Sequence, residues 1–308
     1  MPDTWTIRSA LEWTQGYLER KGDENPRLAA QWLLSKATSL SRIELYAHFD
    51  KPLSADEREV LREIVARRGS GEPLQYIMGE VGFRHLMIQV RPGVLIPRPE
   101  TEVLVSEALA ILSSKQPESD SKNSSSPQAD PVLVADIGTG SGCIAASIAH
   151  EYPAAQVFAG DISPEAVELA RENVERLGLL ERVSVFEGNL TSAIPEEYQG
   201  KFSLLISNPP YIPRAVLESL SSEVVDFEPR LALDGGNDGL EVFRALLAEA
   251  YEILAPDGAA VFELHETCLE QAAALAEEAG FAATRIVRDL AQRPRVLIAF
   301  MPSSPYLA

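Results

Sequence analysis

Val132–Gly142 reads VLVADIGTGSG. An apolar run ends on an acid, Asp136, and then alternates glycine with small residues. The pattern predicts a strand that stops in a loop opening a helix. Glycines at 138, 140 and 142 would let the backbone approach a ligand closely. Four more short apolar runs follow, within AQVFAGDIS, RVSVFEGNL, FSLLISNPP and GAAVFELH, with helical segments between most of them. This alternation predicts a mostly parallel sheet covered on both faces. FAATRIVRD and RVLIAFM, separated by a short Arg/Pro turn, read as an antiparallel pair at one end.

Upstream the periodicity is helical. Ile7, Leu11, Trp13 and Leu18 recur at roughly helical intervals before Gly22. Asn25-Pro26 has the form of a cap followed by proline at the first helical position. Ser54 and Glu57 stand at capping-box spacing, with Val60, Leu61, Ile64 and Val65 as the inner face of the helix they open. The expected division is a helical domain of three to five helices over 1–75, a β-hairpin connector over 76–98 and an α/β domain over 99–308. Within the last, the Ser-rich segment 113–130 is expected to be a flexible surface insertion.

Composition excludes several classes. The 308 residues carry a formal net charge of −19, which argues against a duplex-binding protein. The two cysteines, Cys143 and Cys268, and four scattered histidines lack metal spacing, so no metal site is expected and a reducing compartment is. The polar amino terminus and the lack of any long apolar run point to the cytoplasm, without a membrane partner.

The chemistry concentrates where strands end. Asp161 closes the strand after the glycine loop, where an acid accepts hydrogen bonds from the two hydroxyls of a ribose; helix capping is the other role open to it. Glycine spacing of G-x-G-x-G suits a nucleoside ligand without a pyrophosphate. Asn189 and Leu190 follow the next strand, at an edge where an adenine could be held, although Asn189 also suits a plain turn. The next strand ends in ISNPPYIP (Ile206–Pro213). Pro209 and Pro210 donate no backbone hydrogen bond. Acceptors therefore dominate: the Asn208 side-chain oxygen and the Pro209 carbonyl can both receive one NH2 group. A planar NH2 is a poor nucleophile because its lone pair is delocalised. Two acceptors can hold the nitrogen while it pyramidalises toward an electrophile. Tyr211 can stack on the planar group.

DIGTGSG, Asp161 and NPPY together resemble a class I S-adenosylmethionine-dependent methyltransferase acting on a planar NH2. GEPLQYIMG, VLIPRPETE, FEPRLALDGGNDGL and RDLAQRPRVLIAF narrow the resemblance to the peptide chain release factor N5-glutamine methyltransferase family. The resemblance implies an α/β fold, a Rossmann-like seven-stranded methyltransferase sheet, with a small helical N-terminal domain that helps to dock the substrate. It implies methyl transfer from S-adenosyl-L-methionine to the side-chain amide of the glutamine in the Gly-Gly-Gln motif of class 1 peptide chain release factors, with no direct nucleic-acid binding. By carry-over, Gly138, Thr139, Gly140, Ser141 and Gly142 line the methionine part of the cofactor and Asp161 binds ribose; Asn189, Leu190 and Asn208 complete the cofactor contacts. Asn208, Pro209, Pro210 and Tyr211 form the catalytic, substrate-binding turn. Arg98, Glu100 and Thr101 border the crevice, Glu228 pairs with Arg230, and Asp234–Gly239 (DGGNDG) is a mobile turn. Departures are FELHETCLEQ, Gln292 where a glycine is usual, and Leu190 where an aromatic is frequent. The same turn also fits a glutamine methyltransferase acting on a ribosomal protein, or adenine-N6 methylation of nucleic acid; the second lacks a basic track here.

Overall fold

Two helix starts near the amino terminus are fixed by hydroxyl–carboxylate pairs. Ser54 accepts the Glu57 N–H at 3.1 Å while the Glu57 carboxylate takes the Ser54 N–H at 2.7 Å. Such a cap contributes about 1 kcal/mol. The same box, Ser41 with Glu44, opens the third helix. Five helices result: α1 (Ile7–Arg20), α2 (Pro26–Thr38), α3 (Arg42–Ala47), α4 (Ala55–Gly69) and α5 (Leu74–Met78). Asn25 precedes α2, but its side chain makes no cap bond. Ile7, Leu18, Leu33, Leu34 and Leu45 are fully buried in one core. Leu61, Ile64 and Val65 join it from α4, whereas Val60, expected beside them, is 41% exposed. One residue of helix turns a side chain by about 100°, enough to carry Val60 off the buried stripe.

The computed structural model describes residues 5–114, 131–217, 219 and 221–305. They fall into two compact units, Met1–Val81 with Ser221–Phe227, and Gly82–Leu220 with Glu228–Ala308. The return of Ser221–Phe227 to the helical unit has no signal in the sequence. Its anchor there is Arg68, which binds Asp23 at 2.6 Å and Glu223 at 2.9 Å.

Strands β1 (Glu80–Phe83) and β2 (Leu86–Gln89) pair as a two-stranded sheet, and α6 (Thr101–Ser114) follows. Ser113 and Ser114 end α6; the rest of the expected insertion, 115–130, lies outside the described residues. The sheet domain then runs β3 (Val132–Ile137), α7 (Cys143–Glu151), β4 (Ala155–Asp161), α8 (Pro164–Arg176), β5 (Val183–Glu187) and β6 (Phe202–Ser207). Short helices α9 (Arg214–Leu217) and α10 (Ser222–Val225) come next, before α11 (Glu241–Ile253), β7 (Leu254–Glu263), α12 (Leu269–Glu278), β8 (Ala283–Arg288) and β9 (Pro294–Phe300).

The seven strands expected from the sequence form one sheet in the order β5-β4-β3-β6-β7-β9-β8. β9 alone runs against its neighbours. Chain order reverses direction at β3, so β3 and β6 flank the switch point, where open α/β sheets bind ligands beyond their carboxyl ends. Register fixes what meets there: Asp136 lies beside Ile206, and Ile137 beside Gly160. The glycine loop, Asp161 and the NPPY turn therefore leave the sheet side by side. Gln292 adopts φ 63°, the left-handed region that favours glycine, which accounts for the usual glycine at its place.

Candidate functional site

Beyond β3 the loop is held by its own backbone. The N–H groups of Gly138 and Thr139 both bond the Gly160 carbonyl, at 2.8 and 3.0 Å. Beneath it, Asp136 is fully buried; one carboxylate oxygen accepts the Thr139 hydroxyl at 2.6 Å and the Ala145 N–H at 3.1 Å. Its other oxygen, Oδ1, has no partner. Burial pushes this carboxyl up to about 7 despite the two bonds.

Two of the loop glycines do different work. A Cβ on Gly138, at φ 74°, would meet nothing within 4 Å, because that space is the cleft. A Cβ on Gly142 would come within 3.1 Å of the Ala170 Cβ, so this glycine lets α7 and α8 pack and stands outside the cavity lining. Asp161 accepts the Gly140 N–H at 2.8 Å and the Ser163 N–H at 2.9 Å. The cap of α8 is Ser163, whose hydroxyl takes the Ala166 N–H at 3.2 Å. Burial raises the Asp161 carboxyl, opposed by the backbone N–H groups of Ser163, Gly140 and Ile162. Each of its oxygens retains a second lone pair.

A cavity of about 560 Å³ opens at this edge, within the range of small-molecule sites. Gly138, Asp161, Asn189, Leu190, Asn208 and the two prolines of NPPY reach it. A smaller cavity of about 80 Å³ adjoins Thr139, Gly140 and Ser141 and shares Gly138, Asp161 and Asn208 with the first. Asn189 makes no side-chain cap bond to the 3-10 turn after it, and Leu190 holds φ 50°. That turn is fixed by Glu249, which accepts the Thr191 N–H and hydroxyl at 2.9 and 2.6 Å. The surroundings suit S-adenosylmethionine. Open space at Gly138 receives a chain without a side-chain clash, Asp161 offers acceptors for hydroxyls, and Ile162 and Leu190 give the cavity apolar walls.

At the β6 edge, the Ser207 hydroxyl ties β6 to β3 through the Ile137 carbonyl at 2.6 Å. Asn208 follows, and its Nδ2 donates to the Thr101 hydroxyl at 3.2 Å. Oδ1 is the amide end left for another donor. Tyr211 does not line either cavity; its hydroxyl donates to Glu263 Oε1 at 3.4 Å. Burial raises this phenol, and Glu263 adds to the shift. Asp234–Gly239, expected as a mobile turn, is hydrogen-bonded to the segment that follows Pro210. Ile212 N–H reaches Leu233 O at 3.0 Å, Gly235 N–H reaches Ile212 O at 2.9 Å and Arg214 N–H reaches Gly236 O at 2.8 Å. A Cβ at Gly235 would sit 2.7 Å from the Tyr211 backbone, so only glycine permits this contact.

Arg98 pairs with buried Glu228 at 2.5 Å; Arg230, the partner expected for Glu228, stands 3.5 Å from Asp234. Arg98 and Thr101 border the smaller cavity. Sequence reasoning passed over Glu263, which is 1% exposed at the carboxyl end of β7. Its signal was an acid ending the apolar run GAAVFE at the edge where the other site residues emerge. Burial pushes the Glu263 carboxyl up to about 7; the Thr101 hydroxyl and Arg295 favour its charge, and Glu100 opposes it. Among the described residues no cluster of three or more His, Cys, Asp or Glu could hold a metal, and no helix is long and apolar enough to cross a membrane.

The family models for the PrmC N-terminal domain and the Methyltransferase small domain match residues 9–79 and 126–226. A release factor glutamine methyltransferase of Geobacter sulfurreducens is 48% identical, over 85% of each chain. One of Rhodopirellula baltica is 40% identical over 95% of each. Among solved structures, the hMettl16 catalytic domain in complex with MAT2A 3′UTR hairpin 6 superposes with a TM-score of 0.55 at 14% identity. It covers 78% of this chain and 82% of that one, a likeness of fold.

Proposed function

The chain belongs to the release factor glutamine methyltransferase family, and from that premise we propose that it methylates the N5 side-chain amide of the glutamine in the Gly-Gly-Gln motif of class 1 peptide chain release factors. The observation that carries the reading is the Asn208 carboxamide. Its Nδ2 is engaged by Thr101, and it borders a cavity that also reaches Gly138 and Asp161. Bound S-adenosylmethionine supplies an electrophilic methyl group on a positively charged sulfur. Gly138 to Ser141 and Asp161 hold its amino-acid and ribose parts, with Asn189 and Leu190 beside the base.

The chain's own part is to position the nucleophile. Asn208 Oδ1 and the Pro209 carbonyl accept the two N–H groups of the substrate amide. Pro209 and Pro210 present no competing N–H. Held from two sides, the nitrogen can bend out of the amide plane as the new N–C bond forms, and these contacts strengthen in the transition state. Tyr211 packs behind the turn. The surplus proton leaves to water after transfer, so no general base is needed. The helical unit, Met1–Val81 with Ser221–Phe227, docks the release factor. With an acidic surface and two buried free thiols, Cys143 and Cys268, the protein works in the cytoplasm on a protein substrate and binds neither nucleic acid nor membrane.

The test is mass spectrometry of purified class 1 release factors and of total ribosomal protein after incubation with the protein and S-adenosylmethionine. One added methyl on the Gly-Gly-Gln glutamine is the expected result. Methylation of a ribosomal protein alone, or of neither, overturns the proposal.

A further inference from the structure

We propose that Asn173 is a positioning residue for cofactor binding: its carboxamide clasps the glycine loop at Ser141 to the strand end at Gln89, and so sets the two walls between which the amino-acid part of S-adenosylmethionine sits. The inference rests on the reading that Gly138 to Ser141 hold that part of the cofactor.

The clasp begins as a helix face. Ala166, Leu169 and Asn173 stand at i, i+3 and i+7 of α8, on one side of it. All three are buried, and an amide on such a stripe is costly unless its polar atoms are used. Asn173 uses both ends. Its Oδ1 accepts the Gln89 N–H at 2.8 Å, and its Nδ2 donates to the Gln89 carbonyl at 3.0 Å and to the Ser141 carbonyl at 2.9 Å. An amide nitrogen has two protons, so Nδ2 is saturated, and the polarity of three backbone partners leaves the group one orientation. A leucine would fill the same space and satisfy none of them.

Both walls of the smaller cavity hang from this amide. Ser141 belongs to the first; its hydroxyl is buried without a hydrogen bond and borders the cavity, with the Cys143 thiol as a weak neighbour. Gly93, Val94 and Leu95, which follow Gln89 in the chain, belong to the second. α8 guides the chain between: Arg91 pairs with Glu168 and Glu172, both at 2.9 Å, and Val94 packs on Ala166 and Leu169. The walls meet where Val94 Cγ1 comes within 3.9 Å of the place a Cβ would take on Gly140. The ion pairs are solvent-exposed and contribute little, so the buried amide is the group that fixes the geometry.

The experiment measures S-adenosylmethionine affinity by calorimetry, kcat at saturating cofactor, and stability in denaturant for wild type, Asn173→Ala, Asn173→Asp, Asp161→Asn and Leu269→Ala. Asn173→Ala should bind the cofactor about tenfold more weakly or worse, with kcat at saturation within about twofold of wild type. Asn173→Asp has the same shape and still accepts the Gln89 N–H, but it turns an oxygen on two carbonyls, so it should bind no better than Asn173→Ala. Leu269→Ala empties a core site that lines neither cavity; it should lose stability and keep affinity. Hydrogen exchange of wild type needs no variant to fold. If opening the clasp costs cofactor affinity, the cofactor must by linkage hold the clasp shut by the same factor. Saturating S-adenosylmethionine should therefore slow exchange of the Gln89 N–H about tenfold more than that of the Ala279 N–H at the end of α12. Wild-type affinity in Asn173→Asp, an equal loss in Leu269→Ala, or a Gln89 N–H indifferent to the cofactor overturns the inference. Undiminished affinity in Asp161→Asn overturns the placement of the cofactor, and the inference falls with it. Weakened binding there beside wild-type affinity in both Asn173 variants overturns the inference alone.

Discussion

The two halves of the cleft are built on different plans. On the β3 side, a fully buried acid, Asp136, supports the loop it introduces, and both of its donors lie within nine residues of it. On the β6 side, the turn is held by residues drawn from other elements: Thr101 of α6 accepts the Asn208 amide, and buried Glu263 of β7 accepts the Tyr211 hydroxyl. Both acids keep one oxygen without a partner. The first half is a cradle made of backbone, which a contiguous motif can encode. The second is a side-chain arrangement that exists only after the sheet has formed.

Breaking each half should therefore have a different signature. The largest effect is expected for Asn208→Ala: turnover falls by about a hundredfold or more while calorimetry finds cofactor affinity unchanged. Asp161→Asn should do the reverse, weakening S-adenosylmethionine about ten- to a hundredfold and sparing kcat at saturation, since it removes binding shared by ground and transition states. Equal losses of both quantities in both variants would erase the distinction between the halves.

Next in size is a pH effect on stability. Glu263 titrates near 7 in the folded protein against an ordinary value of 4.5. A raised acid means that the folded state binds the proton more tightly, so its contribution to stability is best below the unfolded value and is lost as pH rises toward 7. Glu263→Gln should then gain on wild type by a few kcal/mol between pH 5 and 8 in chemical denaturation. A constant difference across that range would mean that Glu263 is not held in the way its burial requires. The smallest effect lies far from the cleft: Ser54→Ala should cost about 1 kcal/mol through its cap, without changing cofactor affinity.

This contrast also explains what could be read before the fold was known. Seven strands, their parallel character and the glycine loop follow from apolar runs and local turn chemistry, because those signals act over a few residues. Asn208 stood out as a candidate for the same reason, as its prolines adjoin it. Glu263 did not, because it meets Tyr211, 52 residues earlier in the chain, only once the sheet has formed. Asp234–Gly239 read as loose because glycine signals freedom of the backbone; its actual use is the close approach to Tyr211. Val60 failed for a smaller reason, since four apolar residues cover more of α4 than its core contact can bury.

The clasp on Arg68 has a consequence for the birth of the chain. Asp23 is available early, but Glu223 follows Arg68 by 155 positions. At a ribosomal pace of about 5–20 residues per second, the guanidinium waits roughly 8–30 seconds for its second carboxylate. The amino-terminal helices thus emerge first and are completed late, and a fragment cut after Val81 would keep Arg68 with half of its counter-charge.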